Sequence, residues 1–189
     1  MESSGILKTI ESLAPNDHVV LFYSKIDVKR ELVFPFLQDA LQKGGAAVYV
    51  TDHEPLDGLR EAMKHWGIYV DRYESERSLT ITGFETLMAA EEQLGDLKTS
   101  KLLSDLLERL MKRGGPVRVV ADPTSLAKRG MVDEIVNRER ALGRRLELPL
   151  TVICCYEDTL TEMKEGEFLI ETLRAHSHAI FPGIALQLA

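Results

Sequence analysis

The sequence lacks several features that would place it in a particular class of protein. It has only two cysteines, and these are adjacent, Cys154 and Cys155. Neighbouring cysteines rarely bond to each other, so we expect no disulfide framework and a reducing, cytoplasmic location. No apolar run approaches the roughly 20 residues needed to span a bilayer, and the first residues show no signal peptide. We therefore expect no association with a membrane.

Positive charge is also in short supply. The chain has 23 Lys and Arg against 30 Asp and Glu, which gives a formal net charge of −7. An acidic protein repels the phosphate backbone of nucleic acids, so direct binding of DNA or RNA is not expected. A locally basic stretch at 137–145 carries the interleaved Glu139. This mixture favours a solvated helix face with internal ion pairs.

Glycine is absent from the loop where it would be most informative. In α/β nucleotide-binding folds, the loop after the first strand is rich in glycine because its backbone approaches phosphate closely. Here the first predicted strand runs into residues 24–31, Ser-Lys-Ile-Asp-Val-Lys-Arg-Glu, which contain neither glycine nor a Gly-Lys-Ser/Thr motif. We therefore expect no nucleotide cofactor. The sequence favours a sensor or binding module over an enzyme.

The features that are present predict the fold class. Strand-like apolar runs alternate with amphipathic helix patterns, which is typical of parallel strands joined by helices. We predict an α/β fold of three layers, with a mainly parallel central sheet, helices on both faces and a C-terminal hairpin. The whole chain, 1–189, is predicted to be a single domain with a helical extension at 1–17. The predicted strands are Val19–Tyr23, Ala46–Thr51, Leu79–Thr82, Val117–Ala121 and Leu150–Cys155.

Two further helical stretches are predicted between the third and fourth strands, at 84–88 and 102–111. The second is rich in leucine. That composition favours a position in the core, with a surface for a homo-oligomer as the alternative.

Four candidate ligand-binding residues lie at the carboxyl ends of predicted strands, where open parallel sheets bind their ligands. They are Tyr23, Asp52, Asp122 and Tyr156. We expect them to bound a pocket for a small, weakly polar molecule, since tyrosine offers an apolar face and a polar tip. Their alternative role is that of ordinary residues at the edge of the sheet. Asp52, Asp122 and Glu157 would form a metal or polar-ligand site if they converged.

The chain contains histidines and cysteines that could bind a metal, but their spacing matches no recognisable metal-binding motif. His18, His176 and His178 would suit zinc or iron if the fold brought them together. Structural histidines are favoured, because the sequence alone does not bring these positions together. Cys154 and Cys155 lie in a predicted buried strand, where cysteine usually acts as a small apolar residue. No metal site and no catalytic residue are assigned.

Several segments together carry a family resemblance. They are His-Val-Val-Leu-Phe-Tyr at 18–23, Leu-Val-Phe-Pro-Phe-Leu at 32–37, Ala-Val-Tyr-Val-Thr-Asp at 47–52, Val-Ile-Cys-Cys-Tyr at 152–156 and His-Ser-His at 176–178. These resemble the MEDS domain, a sensory domain found in proteins of methanogens and methylotrophs. One of those proteins is a regulator of dichloromethane dehalogenase. The resemblance covers roughly Val19 to Phe181.

The resemblance implies a RecA/KaiC-like fold whose phosphate loop is degenerate, with the strand before Asp122 similar to a Walker B strand. It implies a stand-alone sensory or ligand-binding domain in signal transduction or transcriptional regulation. Such a domain would act through a protein partner or its own homo-oligomer, and hydrocarbon derivatives have been proposed as ligands of the family. The alternative is a divergent KaiC-type nucleotide-binding protein or NTPase, in which Lys25 or Lys29 replaces the missing lysine and Asp122 holds magnesium. A weaker alternative is an assembly subunit that binds no ligand.

Overall fold

The computed structural model describes residues 3–87 and 108–188. Its strands are β1 (His18–Tyr23), β2 (Ala46–Thr51), β3 (Leu79–Thr82), β4 (Val117–Asp122), β5 (Thr151–Glu157), β6 (His178–Phe181) and β7 (Ile184–Gln187). Its named helices are α1 (Ser3–Glu11), α2 (Ile26–Gln42), α3 (Leu56–Trp66), α4 (Val70–Ser75), α5 (Thr124–Lys128), α6 (Val132–Leu142) and α7 (Glu167–Ala175). A 3-10 helical segment, Asp158–Gly166, precedes α7.

The helical stretches predicted at 84–88 and 102–111 fall partly outside the described residues. Residues 84–87 and 108–111 are helical. Within the described part of the chain, no helix combines the length and the apolar character that crossing a bilayer requires.

The strands form one seven-stranded sheet in the order β3-β2-β4-β5-β1-β6-β7. All neighbours are parallel except β6 and β7, which form the predicted C-terminal hairpin. Every residue of β1 and β2 is buried, as expected for strands covered on both faces. The predicted fold class is therefore confirmed.

Helices cover both faces of the sheet because successive strands are added first toward one edge of the sheet and then toward the other. The connections from β1 to β2 and from β2 to β3 run toward one edge, and those from β4 to β5 and from β5 to β6 run toward the other. Right-handed crossovers then place the two sets of helices on opposite faces. The first face packs against α2, α3 and α4, and the second face packs against α5, α6 and α7.

Successive strand residues point to opposite faces, so β5 supplies both halves of the core. Cys155 belongs to the apolar cluster on the first face, and Cys154 and Tyr156 belong to the cluster on the second. The adjacent cysteines therefore point to different environments, which decides what each of them contacts.

Candidate functional site

The carboxyl ends of β1 and β4 meet at one edge of the sheet and bring two of the four predicted ligand-binding residues together. The Tyr23 hydroxyl donates a 2.8 Å hydrogen bond to Asp122 Oδ2. Both side chains are buried on the first face. They lie beneath α2 rather than on an open surface.

The other two predicted residues lie apart from this pair. Tyr156 points to the second face, where its hydroxyl donates to Glu139 on α6. Asp52 follows β2 at the rim, and its Oδ2 accepts a 3.0 Å hydrogen bond from the backbone N–H of Glu85. The expectation that all four bound one pocket is therefore wrong. A position at a strand end does not tell which face the side chain occupies, because neighbouring residues alternate.

Lys29, on the buried side of α2, completes this group. Its ammonium nitrogen lies 2.6 Å from Asp122 Oδ2 and 2.6 Å from Glu54 Oε1. It also lies over the rings of Tyr23 and Tyr49, at 4.8 and 5.8 Å from their centroids. We call Tyr23, Lys29, Tyr49, Glu54 and Asp122 the lysine cluster. Sequence reasoning did not single out Glu54 or Tyr49, although Glu54 belongs to the loop that follows β2.

The charges of the lysine cluster are balanced. Arg30 donates to Glu54 Oε2 through Nη2 at 2.6 Å and Nε at 3.0 Å, so two cations face the two carboxylates of Glu54 and Asp122. Burial alone would lower the pKa of Lys29, but the neighbouring carboxylates, Asp122 foremost, raise it overall. Burial and the charge of Asp122 raise the pKa of Tyr23. Lys29 therefore stays charged and Tyr23 stays a hydrogen-bond donor at neutral pH.

Both oxygens of Asp122 have partners inside the protein. Oδ2 accepts from Tyr23 and Lys29, and Oδ1 accepts a 3.2 Å hydrogen bond from the backbone N–H of Thr124. In the NTPase alternative, Asp122 would hold magnesium and Lys29 would reach a phosphate. In this arrangement the two side chains neutralise each other instead.

A polar network covers the carboxyl edge above the lysine cluster. His53 Nε2 lies 2.8 Å from Glu157 Oε1, and its Nδ1 lies 3.3 Å from Ser125 Oγ. Ser125 in turn donates to the carbonyl oxygen of Asp52 at 3.1 Å. Burial would raise the pKa of the Glu157 carboxyl, but its pairing with Lys128 and its hydrogen bond with His53 lower that pKa overall. The loop after β2, the helix α5 that follows β4 and the last residue of β5 are thereby joined.

A cleft of about 350 Å³ opens at this edge, and we call it the rim cleft. It is lined by Asp52, Glu85, Ser125, Lys128 and Arg129. The predicted convergence of Asp52, Asp122 and Glu157 does not occur as a three-carboxylate site, because each of these acids has its own separate partners.

The second face carries a separate polar group at the opposite end of β1, which we call the histidine cluster. It consists of His18, Glu139, Cys154 and His176, all buried, whose potential ligand atoms lie within 4.8 Å of one another. The rings of His18 and His176 are 3.9 Å apart. His178 does not join them, because it shares the first-face side of β6 with Ile180 and its Nδ1 lies 3.0 Å from Ser177 Oγ.

Glu139 was expected on a solvated helix face, and that expectation is wrong: only 5% of the residue is exposed. The signal that could have located it is spacing. Ile135 is buried on α6, and a residue four positions further along a helix lies on the same side. Placing Glu139 among the inward residues would have brought a carboxylate toward the sheet.

Comparison with protein families matches residues 17–177 to the MEDS model, described as the methanogen/methylotroph, DcmR sensory domain. This range is more than half of the chain. The chain belongs to the MEDS family. Its sensory description agrees with the family resemblance of the strand and helix segments. No curated protein matches the chain.

Solved structures support the RecA/KaiC-like fold of this MEDS domain. A KaiC-like protein from Pyrococcus horikoshii OT3 is 20% identical, with a TM-score of 0.61 over 88% of this chain and 71% of that one. An uncharacterized protein from Pyrococcus horikoshii, in complex with an unknown peptide, is 12% identical, with a TM-score of 0.64 over 94% of this chain and 82% of that one. Identities this low concern the fold alone.

Proposed function

We propose that this MEDS domain, acting as one unit over 1–189, binds a small molecule in the rim cleft and signals to a protein partner or a second copy of the chain. The observation that carries the proposal is the rim cleft itself, whose polar walls come from the ends of different strands. Its volume of about 350 Å³ falls in the range of small-molecule sites, roughly 300–1,000 Å³. A binding role is favoured over nucleotide hydrolysis because the loop after β1 lacks glycine and Asp122 has internal partners.

The cleft offers both donors and acceptors to a ligand. Lys128 and Arg129 supply cationic donors, although each is paired with a glutamate, Glu157 and Glu85 respectively. A ligand carrying a hydroxyl, carbonyl or carboxylate oxygen would exchange one of these surface pairs for its own contact. Because exposed ion pairs contribute little, roughly 0–1 kcal/mol, that exchange costs little.

His53 connects residues at the rim cleft to the lysine cluster. Its ring lies 6.4 Å from that of Tyr23, centroid to centroid, and the next residue in the loop is Glu54. A ligand that displaces Ser125 or Glu157 would therefore move the loop that also holds Lys29 of α2. In this proposal Asp52 contacts the ligand. Tyr23 and Asp122 do not contact it, and are affected only through the movement of the loop.

The experiment is a thermal-shift and calorimetric screen of the full chain against alcohols, aldehydes, carboxylates, amines and halides of one to four carbons, with magnesium-ATP as a separate arm. A ligand present at about 100 times its Kd adds about 2.7 kcal/mol of stability. We expect a small organic molecule to raise Tm, and His53→Ala and Ser125→Ala to remove the shift. Lys64→Ala, on the exposed side of α3, is the matched control. A shift with magnesium-ATP alone, or one unaffected by both rim variants, would contradict the proposal.

A further inference from the structure

We infer that His18, Glu139, Cys154 and His176 bind one divalent transition-metal ion, Zn²⁺ foremost, in a closed site on the second face of the sheet. This site is separate from the rim cleft and does not depend on the function proposed for it. The sequence placed Cys154 in a buried strand and favoured structural roles for the histidines. Only the fold brings these four residues together.

The first argument is geometry. Zinc bonds of about 2.0–2.3 Å at tetrahedral angles place neighbouring ligand atoms about 3.3–3.6 Å apart. His18 Nε2 lies 3.1 Å from Glu139 Oε2 and 3.4 Å from Cys154 Sγ. Glu139 Oε2 lies 3.7 Å from Cys154 Sγ and 3.4 Å from His176 Nε2. These four of the six separations lie within a few tenths of an ångström of the edges of a zinc tetrahedron, and all six are no longer than 4.8 Å, so binding would need only a small inward movement of His176.

The second argument is the orientation of the two imidazoles. His18 Nδ1 faces the carbonyl oxygens of Gly143 at 2.8 Å and Ala175 at 3.2 Å, and His176 Nδ1 faces the carbonyl of Thr172 at 2.6 Å. A carbonyl only accepts, so each Nδ1 carries the hydrogen. In the neutral ring, Nε2 then presents a lone pair to the centre of the cluster. Metal-binding histidines are held in the same way, by an outer hydrogen bond to the second ring nitrogen.

The third argument is an unpaired nitrogen. His176 is fully buried, and its Nε2 has no hydrogen-bond partner among the residues that the structure describes. Glu139 Oε2 is 3.4 Å away but not in hydrogen-bonding geometry. An unsatisfied buried acceptor costs about 1–3 kcal/mol. A metal ion bound at the centre of the cluster would satisfy it.

The ligand set also matches the charge and the softness of zinc. A Cys154 thiolate and the Glu139 carboxylate together neutralise a divalent ion, which suits a fully buried site. Two imidazoles, one thiolate and one carboxylate are all among the usual ligands of zinc. On binding, the Cys154 thiol proton and the proton shared by His18 and Glu139 would pass to solvent. Four protein ligands leave no open position, so the ion would join α6 and α7 to the sheet rather than catalyse a reaction.

The chain contains matched controls for this site. Cys155 is as buried as its neighbour Cys154 but points to the first face. His178 lies two residues from His176 but outside the cluster. Cys155→Ser and His178→Ala therefore change the same residue types without touching the proposed ligands.

The test measures metal content and affinity of the untagged full-length protein. We expect one Zn²⁺ or Co²⁺ per chain by elemental analysis, and thiolate-to-cobalt charge-transfer absorption in the Co²⁺ form. Cys154→Ser should abolish that absorption, and Cys154→Ser and His176→Ala should each weaken Zn²⁺ binding at least about a hundredfold in a chelator competition. Cys155→Ser and His178→Ala should keep the wild-type affinity. Tyr156→Phe, which removes the hydrogen bond to Glu139, should weaken it by about 10–100-fold.

Failure of the wild-type protein to bind stoichiometric Zn²⁺ or Co²⁺ would overturn the inference and leave a hydrogen-bonded network without metal. Wild-type affinity in both Cys154→Ser and His176→Ala would overturn it as well. Circular dichroism establishes whether each variant folds. If either variant does not, Tyr156→Phe against Cys155→Ser decides, with equal affinities counting against the site.

Discussion

Replacing Lys29 by methionine tests whether the lysine cluster stabilises the fold as an ion network. Methionine is about as long as lysine but carries no charge, so the change removes the ammonium group with little change in side-chain volume. Glu54 would keep Arg30 as its partner, at 2.6 Å. Asp122 would keep only the hydroxyl of Tyr23 and one backbone N–H. The substitution therefore leaves an uncompensated carboxylate in a fully buried position.

Removing one partner of a buried ion pair costs about 3–5 kcal/mol, because the remaining charge stays out of water. We expect that loss in the free energy of unfolding of Lys29→Met. For a domain of this size each kcal/mol corresponds to about 2–4 °C, so Tm should fall by about 6–20 °C. Lys43→Met is the matched control. Its pair with Asp39, at 2.9 Å, has side chains 60% and 39% exposed, so about 0.3–0.5 kcal/mol is expected.

The assay is urea unfolding followed by circular dichroism at pH 7, with the midpoints compared at a common slope. The double variant Lys29→Met/Asp122→Asn removes the stranded charge and should unfold at a higher urea concentration than Lys29→Met alone. The reasoning fails if Lys29→Met costs no more than Lys43→Met. It also fails if the double variant is less stable than the single one, since the cost would then come from packing.

Two further predictions concern the backbone and the missing phosphate loop. Gly45→Ala should destabilise the protein by about 1–3 kcal/mol in urea unfolding, because its Cβ would lie 2.0 Å from the carbonyl oxygen of Pro116. Gly58→Ala, inside α3 with open space around it, should instead stabilise it by about 0.4–1 kcal/mol, and equal effects of the two changes would refute the steric argument. Magnesium-ATP turnover should be weak or absent in a phosphate-release assay, and turnover lost in a folded Asp122→Ala variant would show that Asp122 holds magnesium after all.

Local patterns were enough to predict the architecture. Five consecutive apolar residues in β1 and in β2 predicted strands covered on both faces, and the helix patterns between strands predicted parallel pairing. The C-terminal hairpin followed from the Pro182-Gly183 turn between two short strands. These are properties of short segments, so a single sequence contains them.

The candidate sites depended on information that no short segment holds. Tyr23 and Asp122 were predicted to meet, and they do, because parallel strands end at the same edge whatever their order. Tyr156 was misplaced because its strand position did not tell which face it occupies. Glu139 was missed because charge was taken to mean exposure.

The amino-acid sequence by itself determined the strands, the helices between them, the absence of a glycine-rich phosphate loop and the family. Only the tertiary structure decided which side chains meet. His18 and Cys154 are in contact because β1 pairs with β5, and Lys29 reaches Asp122 because α2 packs across the sheet. Strand order and helix packing arise from the core as a whole, whereas periodicity reports only the neighbours of each residue along the chain.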